Sequence, residues 1–430
     1  MKKYIYPTEE EWTEIVERSH LDFSKLNETV SKILLDVKLH GDTAVRKYSR
    51  TFDHVELKSL RVSAEEFQEA DSLVSSDLKG AIQQASDNIL RFHEKQVFNG
   101  EKIETARGVV CWQKSIPIDR VGLYIPGGTA PLFSTVLMLA IPARIAGCKK
   151  VILCTPPDRE RKINPAILVA AKVAGVDEIY KVGGIQAIGA MAYGTESIPQ
   201  VYKLFGPGNQ YVMAAKLQVQ TQGVAIDMPA GPSEVCVIAD EKSNPMYIAA
   251  DLLSQTEHGS DSQAILITTS EATLMAVEEE VGRQLNALPR KETVEKSLGN
   301  SKFILVHDWR EAIALSNAYA PEHLILAVSN YDEMVQHVIN AGSVFLGEYS
   351  CESAGDYASG TNHTLPTHGY AIAYSGVNLD SFCRKITFQH LSKEGIRSIG
   401  RSVVVMAENE HLEAHANAMR VRMNNLKNDE

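Results

Sequence analysis

At 430 residues the chain is long enough for two to three domains. With 44% hydrophobic and 23% charged residues it has the composition of a globular fold, with disorder expected only at the final KNDE, and a formal net charge of -11 argues against long DNA or RNA as a partner. MKKYIYPTEEEW turns acidic too early for a secretory leader, and the most apolar run, FSTVLMLAIPARIAGC, is short and broken by Pro142 and Arg144, so neither export nor a membrane span is expected and the cytoplasm is the expected compartment.

In chain order, residues 1–100 read as mostly helical. EEEWTEIVERS and NETVSKILLDVKLHGD place apolar residues three and four apart, and the glycine of HGD is a stop signal. From about 109 the texture changes. RVGLYIPGG, KKVILCTPP, DEIYKVGG, VYKLFGPGN, EVCVIAD, QAILITT, KFILVHD, HLILAV, GSVFLG and SVVVMA read as strands, and PAILVAAKVAG and NQYVMAAKLQVQT as helices between them. That alternation predicts an α/β fold with mainly parallel sheets, and the strands are too many for one sheet, so two α/β units are expected. Ligands of such sheets bind outside the carboxyl ends of the strands. Three strands end in glycine-rich turns: IPGG at 125–128, VGG at 182–184 and FGPGN at 205–209. Each alone suits a tight turn; the three together point equally to a ligand that approaches the backbone. The GxGxxG fingerprint is absent, because Tyr211 stands where its third glycine belongs, and GxxxxGK is absent too.

Polar chemistry gathers in the second half, where nine of the thirteen histidines lie at or beyond position 258. DLLSQTEHGSDSQ starts as an apolar helix and ends with Gln255 and His258 three residues apart, on one side of a helix turn. Asp356 lies in SAGDYASGTNHTLPTHG with His363 and His368. His411 and His415 stand four apart after Glu408 and Glu410. Mixed histidine, carboxylate and amide donors suit zinc, but a solvated helix face explains the last group equally well. Ala320-Pro321-Glu322-His323-Leu324 offers a glutamate–histidine pair fit for general acid–base work. Adjacent strand residues face opposite ways, so the two share a site only if the backbone is irregular there; otherwise they are a charged pair at a strand edge. The six cysteines, at 111, 148, 154, 236, 351 and 383, form no CxxC motif and read as reduced, packed thiols.

Taken together, RVGLYIPGGTAPLFSTVLMLAIPARIAGC, GPGNQYVMAAK, DMPAGPSEVCVIAD, AADLLSQTEHGSDSQA, APEHL, AGSVFLG, GDYASGTNHTLPT and ENEHLEAH resemble the histidinol dehydrogenase family, in the family's order and over nearly the whole chain. The resemblance implies oxidation of L-histidinol through L-histidinal to L-histidine, with two NAD reduced, one water consumed and one zinc per subunit. It implies zinc ligands at Gln255, His258, Asp356 and His415, and a catalytic pair at Glu322 and His323. It implies substrate contacts at Ser233, His363 and Glu410, besides His323 and the zinc ligands, and NAD contacts at Tyr124, Gln186 and Asn209. A homodimer is implied, with Glu410 and His415 serving the neighbouring subunit. The implied fold is two incomplete Rossmann-like α/β domains plus small N- and C-terminal extensions: residues 1–22 a helical extension, 23–123 and 235–377 the domain with most zinc and catalytic residues, 124–234 an inserted NAD domain, and 378–430 the C-terminal extension. His411 departs from the resemblance, which implies that relatives usually have glycine there; it is expected to be a bystander to the metal. A relative acting on another amino alcohol, a non-catalytic ligand-binding relative and an aldehyde dehydrogenase with a cysteine nucleophile are the alternatives. The last finds no cysteine within the catalytic or metal-ligand motifs.

Overall fold

The structure is a computed structural model that describes residues 1–18, 24–127, 130–176 and 178–428. Gly128 of the IPGG turn, residues 19–22 of the expected N-terminal extension and the last two residues of KNDE lie outside these.

Two parallel sheets carry the molecule. The five-stranded sheet runs in the spatial order Glu178–Lys181, Lys150–Thr155, Arg120–Tyr124, Lys203–Phe205, Ala225–Ile226. The six-stranded sheet runs Lys2–Ile5, Lys302–Leu305, Gln263–Thr268, Glu234–Ala239, His323–Ala327, Ser343–Leu346. Apart from Lys2–Ile5, both follow the order 3-2-1-4-5, the doubly wound half that mononucleotide-binding folds use. Their central strands are buried on both faces, which is why EVCVIA and QAILIT read as unbroken apolar runs.

Helices cover both faces of each sheet. Ser76–Glu94, Phe133–Ala146 and Pro165–Ala174 pack on one face of the five-stranded sheet. Ser24–Tyr48, Gly184–Tyr193 and Gln210–Gln220 pack on the other. On the six-stranded sheet, Pro245–Thr256, Glu271–Leu285 and Lys291–Asn300 face Glu9–Val16 and Trp309–Tyr319 across the strands. Within Ser24–Tyr48 the helix breaks at Gly41, whose φ of 50° and ψ of -130° mark the stop that HGD announces.

Three expectations are corrected. The helices of residues 24–94 pack on the five-stranded sheet, so this segment does not sit with the other unit, as the expected division had it. The N-terminal extension is not wholly helical, because Lys2–Ile5 pairs with Lys302–Leu305 as a parallel edge strand. SVVVMA is not a strand: it lies inside the helix Lys393–Asn409, where 395, 396, 399, 400, 403, 404 and 407 are the inward positions. The three-four spacing over the longer window outweighs three consecutive β-branched residues. A third sheet, antiparallel, orders Cys383–Leu391, Val109–Pro117 and Ile103–Ala106, and with the hairpin of Lys393–Asn409 and Glu413–Asn428 it forms a C-terminal arm.

Candidate active site

The helix Trp309–Tyr319 ends in Ala320 at φ 50°, Pro321 follows, and the strand begins at His323. The backbone is therefore irregular where Glu322 and His323 need it to be. Both side chains are buried, with Glu322 Oε2 3.7 Å from His323 Nδ1. Glu322 Oε2 accepts hydrogen bonds from the Glu234 amide at 2.9 Å and from Gln255 Nε2 at 3.2 Å. His323 Nδ1 lies 3.2 Å from the Glu234 carbonyl, an arrangement that assigns its proton to Nδ1 and leaves Nε2 as the base. Nε2 makes no hydrogen bond and lies 3.6 Å from Asp356 Oδ1.

Around His323 stand more carboxylates than one imidazolium balances. Burial pushes Glu322 up to about 8, with His323 opposing. Burial likewise pushes Glu352 up to about 8, with His323 again opposing. Burial alone would depress His323, but Glu352, Glu322 and Asp356 outweigh it and carry the ring to about 10. Asp356 shifts the other way: burial works against its ionised form, and the contact with His323 overcomes that and keeps it ionised. Surplus buried carboxylate is what a cation site provides.

The donors for a metal come from two short segments. Gln255 lies in the last turn of Pro245–Thr256, and its Oε1 is buried without a hydrogen-bond partner while Nε2 is held by Glu322. His258 follows two residues beyond the helix. Its outer edge is exposed, yet the protein packed around the ring depresses its pKa, against the pull of Asp356, which favours the neutral, ligating form. Asp356 and Glu352 sit four apart on the helix Glu352–Tyr357. Ligand atoms of His258, Glu352 and Asp356 all lie within 4.8 Å of one another. An orphaned amide oxygen beside clustered nitrogen and carboxylate donors fits zinc. Sequence reasoning passed over Glu352; its one signal was the four-residue step back from Asp356, which any helix turn shares.

His363 joins this group through the other unit. Its Nδ1 bonds the Asp356 carbonyl at 2.8 Å, and its Nε2 lies 2.9 Å from Thr135 Oγ1 in the helix Phe133–Ala146. Ser233 immediately precedes Glu234, and its carbonyl accepts from the Gln263 amide at 3.1 Å. Glu410 and His415 are exposed on the C-terminal arm, and His415 is not in the donor group within this chain. His411 and His415 do not share a helix face, because the chain turns between Asn409 and Glu413 with His411 at φ 59°.

Tyr124, Gln186 and Asn209 line one cavity of about 830 Å³ at the carboxyl edge of the five-stranded sheet, where the strand order reverses between Arg120–Tyr124 and Lys203–Phe205. The Tyr124 hydroxyl accepts from the Gly184 amide at 3.0 Å, and burial raises its pKa. Gln186 is buried with Oε1 unpartnered, and its Nε2 reaches Asp53 at 3.4 Å. Asn209 caps the helix Gln210–Gln220 by accepting from the amides of Tyr211 and Val212, both at 3.1 Å. Gly206, at φ 122°, passes so close that a Cβ would stand 2.0 Å from the Tyr124 carbonyl oxygen, so only glycine fits. The buried Lys216–Asp227 pair fastens this loop: Lys216 donates to the Gly206 carbonyl at 2.9 Å, and Asp227 accepts from the Gly206 amide at 2.8 Å.

The other site departs from the carboxyl-edge expectation. His323 and Glu234 each open a strand, so Glu322 and His323 sit at the amino edge of the six-stranded sheet. The carboxyl-edge crevice there is filled by Asp240, whose Oδ2 accepts from the Ser329 amide at 2.8 Å and hydroxyl at 2.9 Å, while Ser243 donates to the Ala327 carbonyl.

A sequence model described as histidinol dehydrogenase matches residues 16–423. A histidinol dehydrogenase of Bacteroides thetaiotaomicron is 61% identical over 427 residues, spanning 99% of this chain and 100% of that protein. One from Campylobacter jejuni is 50% identical over 94% of each. A crystal structure of histidinol dehydrogenase from Elizabethkingia anophelis superposes with a TM-score of 0.98 at 54% identity, covering 99% of both chains.

Proposed function

The chain belongs to the histidinol dehydrogenase family, and from that premise we propose that Glu322 and His323 are its catalytic pair and that Gln255, His258 and Asp356 hold zinc beside them. It is an NAD-dependent oxidoreductase that oxidises histidinol in histidine biosynthesis. The observation that carries the site reading is the buried Glu322–His323 pair, within reach of both the clustered donors and the unpartnered Gln255 oxygen. Zinc, when bound, supplies charge that offsets the carboxylates and a fixed point for the substrate's nitrogens. NAD would supply the hydride acceptor.

The carboxylates around His323 hold its ring protonated until a cation's charge offsets them; the neutral ring would then accept the alcohol proton at Nε2 in the first oxidation. Glu322, held at Oε2 by the Glu234 amide and Gln255 and ionised once the same cation charge offsets its burial, would accept a proton from the water that hydrates the aldehyde, so that the second oxidation starts from the hydrate. Ser233 and His363 complete the substrate's surroundings. Tyr124, Gln186 and Asn209 hold the dinucleotide, on the support of the shared cavity. Glu410 and His415 act on a second copy of the chain: His415 is exposed and outside its own donor group, and the arm leaves apolar Val405, Met406 and Leu412 uncovered. The six free cysteines suit the reducing cytoplasm, and among the described residues no helix is long and apolar enough to cross a membrane.

The test is the NADH formed per L-histidinol consumed, with and without prior chelation. Two per histidinol, lost on chelation and restored by zinc, supports the reading. One indicates that the second oxidation fails and removes the role given to Glu322. None from folded, zinc-loaded protein overturns it and turns the search to other amino alcohols.

A further inference from the structure

We propose that Arg18 positions the catalytic pair by acting through Glu234; the proposal rests on the reading of Glu322 and His323 as that pair. Glu234 opens its strand and is 3% exposed. Its amide donates to Glu322 Oε2 at 2.9 Å, and its carbonyl accepts from His323 Nδ1 at 3.2 Å. One residue's backbone therefore fixes both reacting side chains, including the tautomer that bares His323 Nε2.

The Glu234 carboxylate is clamped in turn. Arg18 Nε meets Oε1 at 2.5 Å, Arg18 Nη2 meets Oε2 at 3.0 Å, and the His368 amide donates to Oε1 at 2.9 Å. Burial pushes the Glu234 carboxyl up, and Arg18 opposes that push. Arg18 Nη2 also donates to the Tyr319 carbonyl at 2.5 Å and reaches the Ala320 carbonyl at 3.5 Å, with the guanidinium 4.0 Å from the centre of the Tyr319 ring. Tyr319 and Ala320 form the helix end from which the chain turns, at φ 50°, into Glu322. The guanidinium thus ties together the two backbone segments that carry the pair: the strand start at Glu234 and the turn at Ala320. This suits the fixed fork of arginine, whose Nε and Nη2 meet the two carboxylate oxygens side by side while Nη2 also reaches the helix-end carbonyls. The arm that delivers it is the N-terminal segment, locked to the sheet by Lys2–Ile5 and by Lys302, which donates to the carbonyls of Ile15 and Glu17. Arg18 is a positioning residue, because its bonds go to Glu234 and to backbone and not to the reacting side chains.

The experiment is steady-state kinetics of Arg18→Gln, Arg18→Lys and Glu234→Gln with L-histidinol and NAD, together with zinc content and thermal midpoint. Misplacing reacting groups by about an ångström costs on the order of a hundredfold, so kcat should fall about tenfold to a hundredfold in both glutamine variants. The KM for histidinol and the zinc content should stay near wild type, and Arg18→Lys should recover part of kcat. The double variant should lose no more than the worse single one, because the two residues act as a unit. An unchanged kcat in folded Arg18→Gln, or a raised KM at full kcat, overturns the proposal. If Arg18→Gln does not fold, Glu234→Gln decides by the same criteria, since it keeps the backbone donor and acceptor. Glu322→Gln and His323→Ala run as controls: if they retain kcat the catalytic-pair reading fails, whereas if they lose it and the Arg18 and Glu234 variants do not, this proposal alone fails.

Discussion

His411 holds a left-handed backbone at φ 59° in the turn between the two arm helices, a conformation in which a side chain costs about 1–2 kcal/mol. Glycine is the residue such a backbone favours, without any appeal to metal. His411→Gly should therefore raise stability, by up to about 1 kcal/mol after the extra backbone entropy of glycine is subtracted, with zinc content unchanged. A urea midpoint that fell, or zinc lost with the ring, would contradict this. Asp53 gives a second expectation, this one in pH. Burial at the cavity wall raises it from 3.8 to about 6. Below pH 3.8 folded and unfolded chains are both protonated and the residue is neutral to stability. Between 3.8 and 6 the unfolded chain ionises first, so stability drains away as pH rises, and above 6 the full penalty stands. Asp53→Asn should thus stabilise the protein above pH 6 by roughly 1–2 kcal/mol, discounted for solvent at the cavity mouth, and do nothing near pH 3. Urea midpoints of the two proteins across that range check the sign.

Among elements, the helix Gln210–Gln220 carries two duties on one residue. Asn209 caps its first turn and also lines the cavity proposed for the dinucleotide. Asn209→Ala should cost about 1 kcal/mol of stability and raise the KM for NAD. Asn209→Ser should restore the cap and leave the KM high; recovery of both together would mean that the residue serves only as a cap. How legible an element was depended on burial. Strands buried on both faces, such as EVCVIA, announce themselves by unbroken apolarity. CRKITFQHL, exposed along most of its length, carries no such pattern, and the third sheet it belongs to went unread. SVVVMA misled because its local β-branching hid a helical period visible only over fifteen residues or so. For the site, residue type and spacing singled out Gln255, His258 and the Glu322–His323 pair as candidates, and the fold brings Gln255 against Glu322 and His323. Glu352 and Arg18 were not, since an acid in a helix turn and an arginine near a terminus are common, and only the fold brings them to His323 and Glu234.

Across the whole molecule, two units of the same strand order are used at opposite edges. The five-stranded sheet offers its carboxyl edge to the cavity, the six-stranded sheet its amino edge to the proposed catalytic pair, and Thr135 and His363 join the two. A hydride can pass between them only if each unit's site opens toward the other. The arm remains unspent in this scheme, because its Glu410 and His415 meet nothing of their own chain's donor group. If His415 completes the site of a second copy, two variants that form no histidine should rescue each other. Glu322→Gln lacks the group that takes the water proton but keeps His415; His415→Ala lacks the ligand but keeps Glu322. In a mixed dimer the His415→Ala chain contributes an intact Glu322 and receives His415 from its partner, so one of the two sites is whole. Random reassociation of equal amounts makes about half of the dimers mixed, and about a quarter of wild-type activity should return. If His415 instead folds back onto its own subunit, every site in the mixture still lacks either the base or the ligand, and mixing restores nothing.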